Sequence, residues 1–521
     1  MKNFMEDLSE EIVKNVEFNS SITENGAIGY RTTGKALLDM NFKISSYRNL
    51  SDEEIVYDFE SAYNEDKLLA YQWLFFVRDI REGIGERRLF RVIINDLVNF
   101  HEDDVIKLLK FIPEYGRWDD LIELYFSTDY DTQKHKNIRD YCIELIYNQL
   151  HSDIENMNKE KPISLLAKWL PSIKSTQEKV RKKAKHLYRK LMFKNEAEYR
   201  KTISSLRSYL DIVEKKMCSN RWKDIDYSKV PSKANLIYEG AFFRHDKDRR
   251  DAFLNEVLNS DKKLINSNVL YPHEIVHKYR IGYMCYPYKI EEYDKSLEAL
   301  WKNLKDVGEI SNTIVVRDGS ASMLSRIDKT KITALDISTA LAIYFAQKNT
   351  GQFKDKFITF SKDPRLVNLS KCNSLLECLK VCDKETEVSN TNIEKVFKLI
   401  LHTAINYNLS QDEIPRNVLI ISDMEFDDCT NNINMNSLFK NIESKYSQHG
   451  FKLPRLIFWN VCSRTNTIPL TENELGVALV SGFSTNILKM IMSEELDPYK
   501  VLYEALMSER YLPIRRELLS A

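Results

Sequence analysis

Asp318, Ser320 and Ser322 fall within the stretch Asp318-Gly319-Ser320-Ala321-Ser322, directly after the β-branched run TIVVR at 313–317. A hard divalent cation wants oxygen ligands in near-octahedral geometry, and Mg²⁺ keeps several waters among them. One carboxylate and two hydroxyls on a tight loop supply about half of such a shell. The remaining protein ligands should come from later strand ends. Ser389-Asn390-Thr391-Asn392 opens a predicted helix and offers Thr391, and Ile421-Ser422-Asp423 ends the apolar run 417–422 and offers Asp423. DxSxS by itself fits a serine-rich turn capping a helix; the threonine and the second aspartate, in order, favour a metal site.

Three other motifs invite a chemical reading. His273-Glu274-Ile275-Val276-His277 matches HExxH, in which two histidines one helical turn apart bind zinc and the glutamate serves as base. Pro272 sets a helix start, so His273 lies in the first turn. Lys278-Tyr279-Arg280 follow where a longer zinc motif would continue, and a third ligand is limited to Glu291, Glu292 or Glu298. A zinc metallopeptidase is therefore the second-ranked reading. Gly29-Tyr-Arg-Thr-Thr-Gly34-Lys35-Ala36 approaches a phosphate-binding GxxxxGK[ST] loop but lacks the final hydroxyl that ligates Mg²⁺. No buried strand is expected before it, which removes nucleotide hydrolysis. Cys372, Cys378 and Cys382 cluster at a spacing that suits no zinc knuckle, and the last two read as core positions of a helix.

Charge is unevenly spread although the chain carries a formal net charge of only −1. Residues 1–150 hold 18 Lys+Arg against 29 Asp+Glu, whereas 151–250 hold 25 against 13. Such a basic block is a candidate footprint for a polyanion. Its densest part is 179–190, where Lys179, Arg181, Lys182, Lys183, Lys185, Arg189 and Lys190 would surround a helix; Lys201 and Arg207 extend it. Phosphate neutralisation needs no fixed base geometry, so a cationic helix suffices for affinity to RNA. Pairing with the acidic first 150 residues is the competing explanation.

These residues must be positioned by two kinds of structure. From about 50 to 305, apolar residues recur at three- and four-residue spacing (68–80, 88–99, 104–112, 139–150, 200–217), which predicts helix after helix of HEAT-like solenoid type. From 313 the pattern changes to short apolar runs at 313–317, 356–360, 417–422, 455–461 and 477–483, separated by helices near 330–348, 391–404, 434–446 and 484–492. Buried strands alternating with helices describe a doubly wound parallel sheet whose ligands sit at the carboxyl ends of the strands. The expected class is α + α/β, with 493–521 helical and packing back. No run of apolar residues is long enough to span a membrane. The acidic start MKNFMEDLSEEIVKN is unlike a signal peptide, and eight cysteines without a CxxC pair suit reduced thiols in the cytoplasm.

The set Asp318, Ser320, Ser322, Thr391 and Asp423 resembles the metal-ion-dependent adhesion site (MIDAS) of von Willebrand factor A domains. That resemblance implies direct metal ligation by Ser320, Ser322 and Thr391, and ligation through water by Asp318 and Asp423. The metal would be Mg²⁺, or Mn²⁺ or Ca²⁺, with one position open to an acidic group of a protein partner. Helices followed by such a domain resemble the Ro autoantigen family, built on a TROVE module of HEAT-like helices. The stretches that carry the likeness are 71–91 (YQWLFFVRDIREGIGERRLFR), 111–121 (FIPEYGRWDDL), 162–171 (PISLLAKWLP) and 271–277 (YPHEIVH). The resemblance implies a TROVE-like helical domain over 1–305, closed into a ring, an A domain over 306–492 and a terminal helical segment over 493–521. It further implies a non-enzymatic, cytoplasmic ribonucleoprotein component that holds small or misfolded RNA. A protein-adhesion scaffold without RNA is the other binding-protein reading.

Overall fold

A computed structural model describes residues 19–128, 133–280, 292–306, 308, 310–327, 331–386, 392–426, 435–469, 477–482 and 497–520. The chain forms two compact units, one of residues 1–67 with 267–505 and the other of 68–266 with 506–521. Among the described residues no helix is long and apolar enough to cross a membrane.

The first unit is built on a six-stranded sheet. A short antiparallel hairpin, β1 (Ser20–Ile22) and β2 (Ile28–Tyr30), precedes it. The sheet strands are β3 (Thr313–Asp318), β4 (Lys356–Phe360), β5 (Leu366–Asn368), β6 (Asn417–Ser422), β7 (Arg455–Asn460) and β8 (Val477–Ser481), in the order β5-β4-β3-β6-β7-β8. All pairings are parallel except β4 with β5. β3 and β6 are buried along their whole length, as near-continuous apolar runs in a covered parallel sheet should be. Successive side chains point to opposite faces. Ile314, Val316, Val418, Ile420 and Phe458 share a core with the helices Ile393–Asn406 and Met435–Gln448. On the other face Trp459 meets Phe345 of the helix Ala334–Lys348, with ring centroids 5.2 Å apart. That helix is buried nearly all round, because the helix Pro272–Arg280 covers its far side. Its start is fixed by a capping box between Thr333 and Asp336.

The second unit contains no strand among the described residues. Its helices include Arg88–Phe100, Glu102–Leu108, Trp118–Ser127, Lys136–Asn158, Glu178–Lys190, Glu196–Tyr209, Glu239–Asn259 and, from the far end of the chain, Leu512–Leu519. Helix Lys67–Arg78 begins at the crossing point between the units. Tyr511 stacks on Tyr115, and its hydroxyl donates to the buried Asp79 at 3.1 Å, which ties the last residues into this unit.

The α + α/β class stands as expected, while the units divide the chain differently from domains at 1–305, 306–492 and 493–521. Residues 19–67 pack with the sheet because Ala27 and Phe42 enter the same core as its strands. Residues 267–305 do so through helix Pro272–Arg280, and the terminal stretch is split at 505/506. The helical stretch expected over 200–217 is broken into Glu196–Tyr209 and Val213–Cys218, with Asp211 between them in the left-handed region at φ +52°. The helix expected near 484–492 lies outside the described residues. β5 adds to the expected strands: it is three residues long with only Val367 buried, so it leaves no apolar run to recognise.

Candidate metal centre

The sheet order reverses between β3 and β6, and in an open α/β sheet the crevice at that switch point, beyond the strands' carboxyl ends, is the usual ligand site. Asp318 is the last residue of β3, and Asp423 follows directly after β6. The loop after β3 folds back tightly: the Ser320 amide donates to Asp318 Oδ1 at 2.9 Å, and the hydroxyls of Ser320 and Ser322 are 2.9 Å apart. Ser422 Oγ donates to Asp318 Oδ2 at 2.5 Å, which links the two strand ends. Ser322 in turn hydrogen-bonds the Asp423 carboxyl. Two aspartates and two serines of the expected set therefore converge, and Thr391 lies outside the described residues.

Both carboxyls are fully buried, and that burial governs their acidity. It pushes Asp318 above the usual aspartate range, against hydrogen bonds from Ser422 and Ser320. Asp423 is pushed up to about 7, by burial first and then by the nearby negative charge of Asp318. Two carboxylates and two hydroxyls that gain from a shared positive charge form a donor set suited to a hard divalent cation. Among the described residues no three His, Cys, Asp or Glu side chains gather so as to hold a metal, so the hydroxyls are essential to this assignment.

A second layer surrounds these residues, drawn from distant parts of the chain. Arg464, in the loop after β7, donates from Nη1 to Asp423 Oδ2 at 3.2 Å and to Ser325 Oγ at 2.9 Å. Its other nitrogens bind both oxygens of Glu24, from the β1–β2 turn, at 2.7 and 2.5 Å. Buried Glu425 accepts from the amides of Glu24, Arg464 and Thr465 at 2.9, 2.8 and 2.9 Å. The N-terminal hairpin is thereby fastened to the ends of β6 and β7, and Tyr30 bridges to Ile468 beside it. Sequence reasoning missed all three charged residues. Arg464 and Glu425 could have been sought at strand ends; nothing in the local sequence of Glu24 points here.

The remaining candidates have partners within their own unit. Glu274 accepts from the Tyr271 amide at 3.0 Å at the start of its helix, and buried His273 stacks on Tyr271. His277 Nδ1 lies 3.0 Å from Asp336 Oδ2, whose other oxygen accepts from Arg280 at 2.9 Å. In the glycine-rich stretch at 29–36, the residues run out of β2, a half-buried hairpin strand outside the parallel sheet, and not out of a buried strand of the kind a phosphate-binding loop follows. Glu65 accepts from the Ala36 amide at 2.6 Å, and Asp39 accepts from Thr33 Oγ1 at 2.6 Å. Cys378 and Cys382 are buried, as expected of core thiols.

The basic set divides. Arg181 reaches back to the turn before its helix and donates to the carbonyls of Ser175 and Thr176, both at 2.8 Å. Lys182 pairs with Glu178 at 2.9 Å, Lys183 with Glu123 at 2.7 Å and Lys185 with Glu196 at 3.5 Å. Arg189 bonds the Tyr188 hydroxyl at 3.2 Å. Arg207 donates to the Ala167 and Leu170 carbonyls and to Ser172 at 2.6–2.8 Å, which makes it a clamp for residues 167–172. Lys179, Lys190 and Lys201 are exposed.

Residues 124–313 match a family described as a domain of unknown function, DUF2828, and residues 312–508 match another, DUF7788. The second match begins at the start of β3 and so takes in the candidate centre. The chain is also 31% identical over 519 residues to "Uncharacterized protein L728" of Acanthamoeba polyphaga mimivirus, a similarity covering 94% of this chain and 87% of that one. A likeness that runs through both units at this level is one of whole chains, and the protein belongs to the same family as the mimivirus protein.

Proposed function

We propose that this is a non-catalytic binding protein whose α/β unit holds a divalent cation and offers it to an acidic group of a protein partner. The observation that carries the reading is the meeting of Asp318 and Asp423 at adjacent strand ends, with the hydroxyls of Ser320 and Ser322 beside them. These four residues would hold the cation, Mg²⁺ in the first instance, with Thr391 completing the set as the adhesion-site resemblance implies. The cation would offset two buried negative charges and leave a position for an outside carboxylate. The reducing cytoplasm suits the six described cysteines, all of which are free.

The test is a titration with Mn²⁺ followed by electron paramagnetic resonance. One ion per chain is expected, lost in Asp318→Ala while helical circular dichroism is retained. A protein that binds no Mn²⁺, or binds it equally well after Asp318→Ala, would falsify the assignment.

The helical unit would hold RNA, as the Ro-family likeness implies. A specific observation favours this: exposed Lys179, Lys190 and Lys201 have no acidic partner among the described residues. The helix that carries Lys201 also lines a hollow of about 540 Å³ with Lys168, Lys174, Arg200 and Lys215. Protein purified from its own host without nuclease should carry a defined RNA, crosslinked within 160–223. Clean protein, in a preparation where a known RNA binder keeps its RNA, would leave the adhesion scaffold standing alone.

A further inference from the structure

We propose that a cleft around Arg117, Trp118 and Trp169 in the helical unit binds one nucleotide of a single-stranded RNA, its base against indole and its phosphate on the Arg117 guanidinium. This deepens the RNA reading above and rests on it, but it places the contact away from the basic helix.

The cleft has a volume of about 740 Å³, within the range of small-ligand sites, and its lining includes Arg81, Asn148 and Gln149 with the three residues named. Four separate stretches build it, one of them the helix Lys136–Asn158, which contributes Leu145, Asn148, Gln149 and Ser152. Ile80 and Arg81 follow helix Lys67–Arg78, residues 113–118 form the turn into helix Trp118–Ser127, and residues 163–169 end on Trp169. Gly116 lets the turn pass close to the ion pairs beneath it, since a Cβ there would lie 2.6 Å from Asp120 Oδ2.

Arg117 is the cation this arrangement leaves over. Its guanidinium lies 5.1 Å from the centre of the Trp169 ring and makes no hydrogen bond among the described residues. Burial first, and then the charge of Arg87, lower its pKa against the opposing charges of Asp119 and Asp120, two carboxylates that already pair with Arg91 and Arg78. Asp120, the adjacent carboxylate, is already occupied. It takes Arg78 Nε and Nη2 at 2.9 and 2.6 Å, Arg91 Nε at 2.8 Å and the Arg117 backbone amide at 3.0 Å. Asp119 pairs with Arg91 at 3.0 Å. Among the other charged lining residues, Glu114 pairs with Arg510 at 3.1 Å and Lys110 with Glu517 at 2.7 Å. A planar, half-buried cation beside two indoles suits a ligand with both a phosphate and an aromatic face. Stacking on aromatic residues together with arginine contacts is how single strands are held without sequence preference.

The same chemistry is present in a free nucleotide, so the test uses both. The full chain is titrated with the octanucleotide rA8 and, separately, with AMP, and tryptophan fluorescence and binding are followed. The expected result is saturable quenching by rA8, with Kd raised about tenfold in Arg117→Gln and in Trp118→Ala. Arg117→Lys keeps the charge but not the planar fork and should recover part of the loss; melting temperatures check that each variant is folded. If rA8 binds and all three variants match the wild type, the cleft is overturned while the RNA reading stands on the basic helix. If neither rA8 nor AMP binds and the host-purified protein carries no RNA, both fall. AMP binding as tightly as rA8 would overturn the polymer as the source and assign the cleft to a free nucleotide.

Discussion

Arg464 sets the charge balance of the strand-end centre, because it is the cation in direct contact with Asp423. A guanidinium at 3.2 Å from Asp423 Oδ2 offsets charge that a divalent ion would otherwise offset, so the two compete electrostatically. Arg464→Ala should therefore tighten Mn²⁺ binding by about tenfold; an unchanged affinity would detach Arg464 from the site. A second residue-scale prediction concerns Asp336. Burial alone would raise its pKa, but bonds from His277 and Arg280 hold it below the usual 3.8. A depressed carboxylate stabilises the fold above its unfolded pKa, and that contribution is lost as pH falls through the lower folded value. Chemical denaturation of the wild type should weaken below about pH 4, whereas Asp336→Asn should show a smaller acid loss. At neutral pH the variant should be about 3 kcal/mol less stable, because it removes one of the two carboxylates, Asp336 and Asp383, that hold the buried Arg280. A variant as stable as the wild type at pH 7 would contradict this.

Helix Glu178–Lys190 shows how far an element can be read from its charges. Its cationic character is plain in the sequence, and Ala184 and Leu187 are its buried stripe. Which cations remain available is decided by neighbours: Glu123 takes Lys183, and that side chain also lies 4.9 Å from the Phe126 ring centre. Reversing Lys179, Lys190 and Lys201 to Glu should lower RNA affinity and reduce the salt slope by roughly one for each phosphate no longer neutralised. Lys183→Glu should instead lower the melting temperature through repulsion from Glu123. Equal salt slopes for the triple variant and the wild type would remove these lysines from the RNA surface.

At the scale of the whole molecule, the chain crosses between its units three times, at 67/68, 266/267 and 505/506. A fragment starting at 306 would lack Ala27, Phe42 and the Glu24 contacts, and would leave the sheet core open around Ile468. Residues 306–505 alone should be aggregation-prone, whereas 19–67 linked to 267–505 should give a folded, monomeric unit by size-exclusion chromatography and circular dichroism. The opposite ranking would refute this division. Mg²⁺ at a hundredfold excess over Kd should stabilise the unit that holds it by about 2.7 kcal/mol. The melting transition of the helical unit should stay in place.

What the sequence determined by itself was local. Alternating apolar runs and helical periodicity located five of the six sheet strands, because a covered parallel strand must be apolar throughout. The DxSxS loop and Asp423 were legible because strand order alone puts ligands at strand ends. Tertiary structure decided the rest. Glu24 reaches Arg464 across 440 residues, and Arg117, Trp118 and Trp169 form a cleft only once helices from separate stretches pack. Which basic residues are spent on carboxylates, and which remain over, depends on distances between elements that no spacing along the chain records.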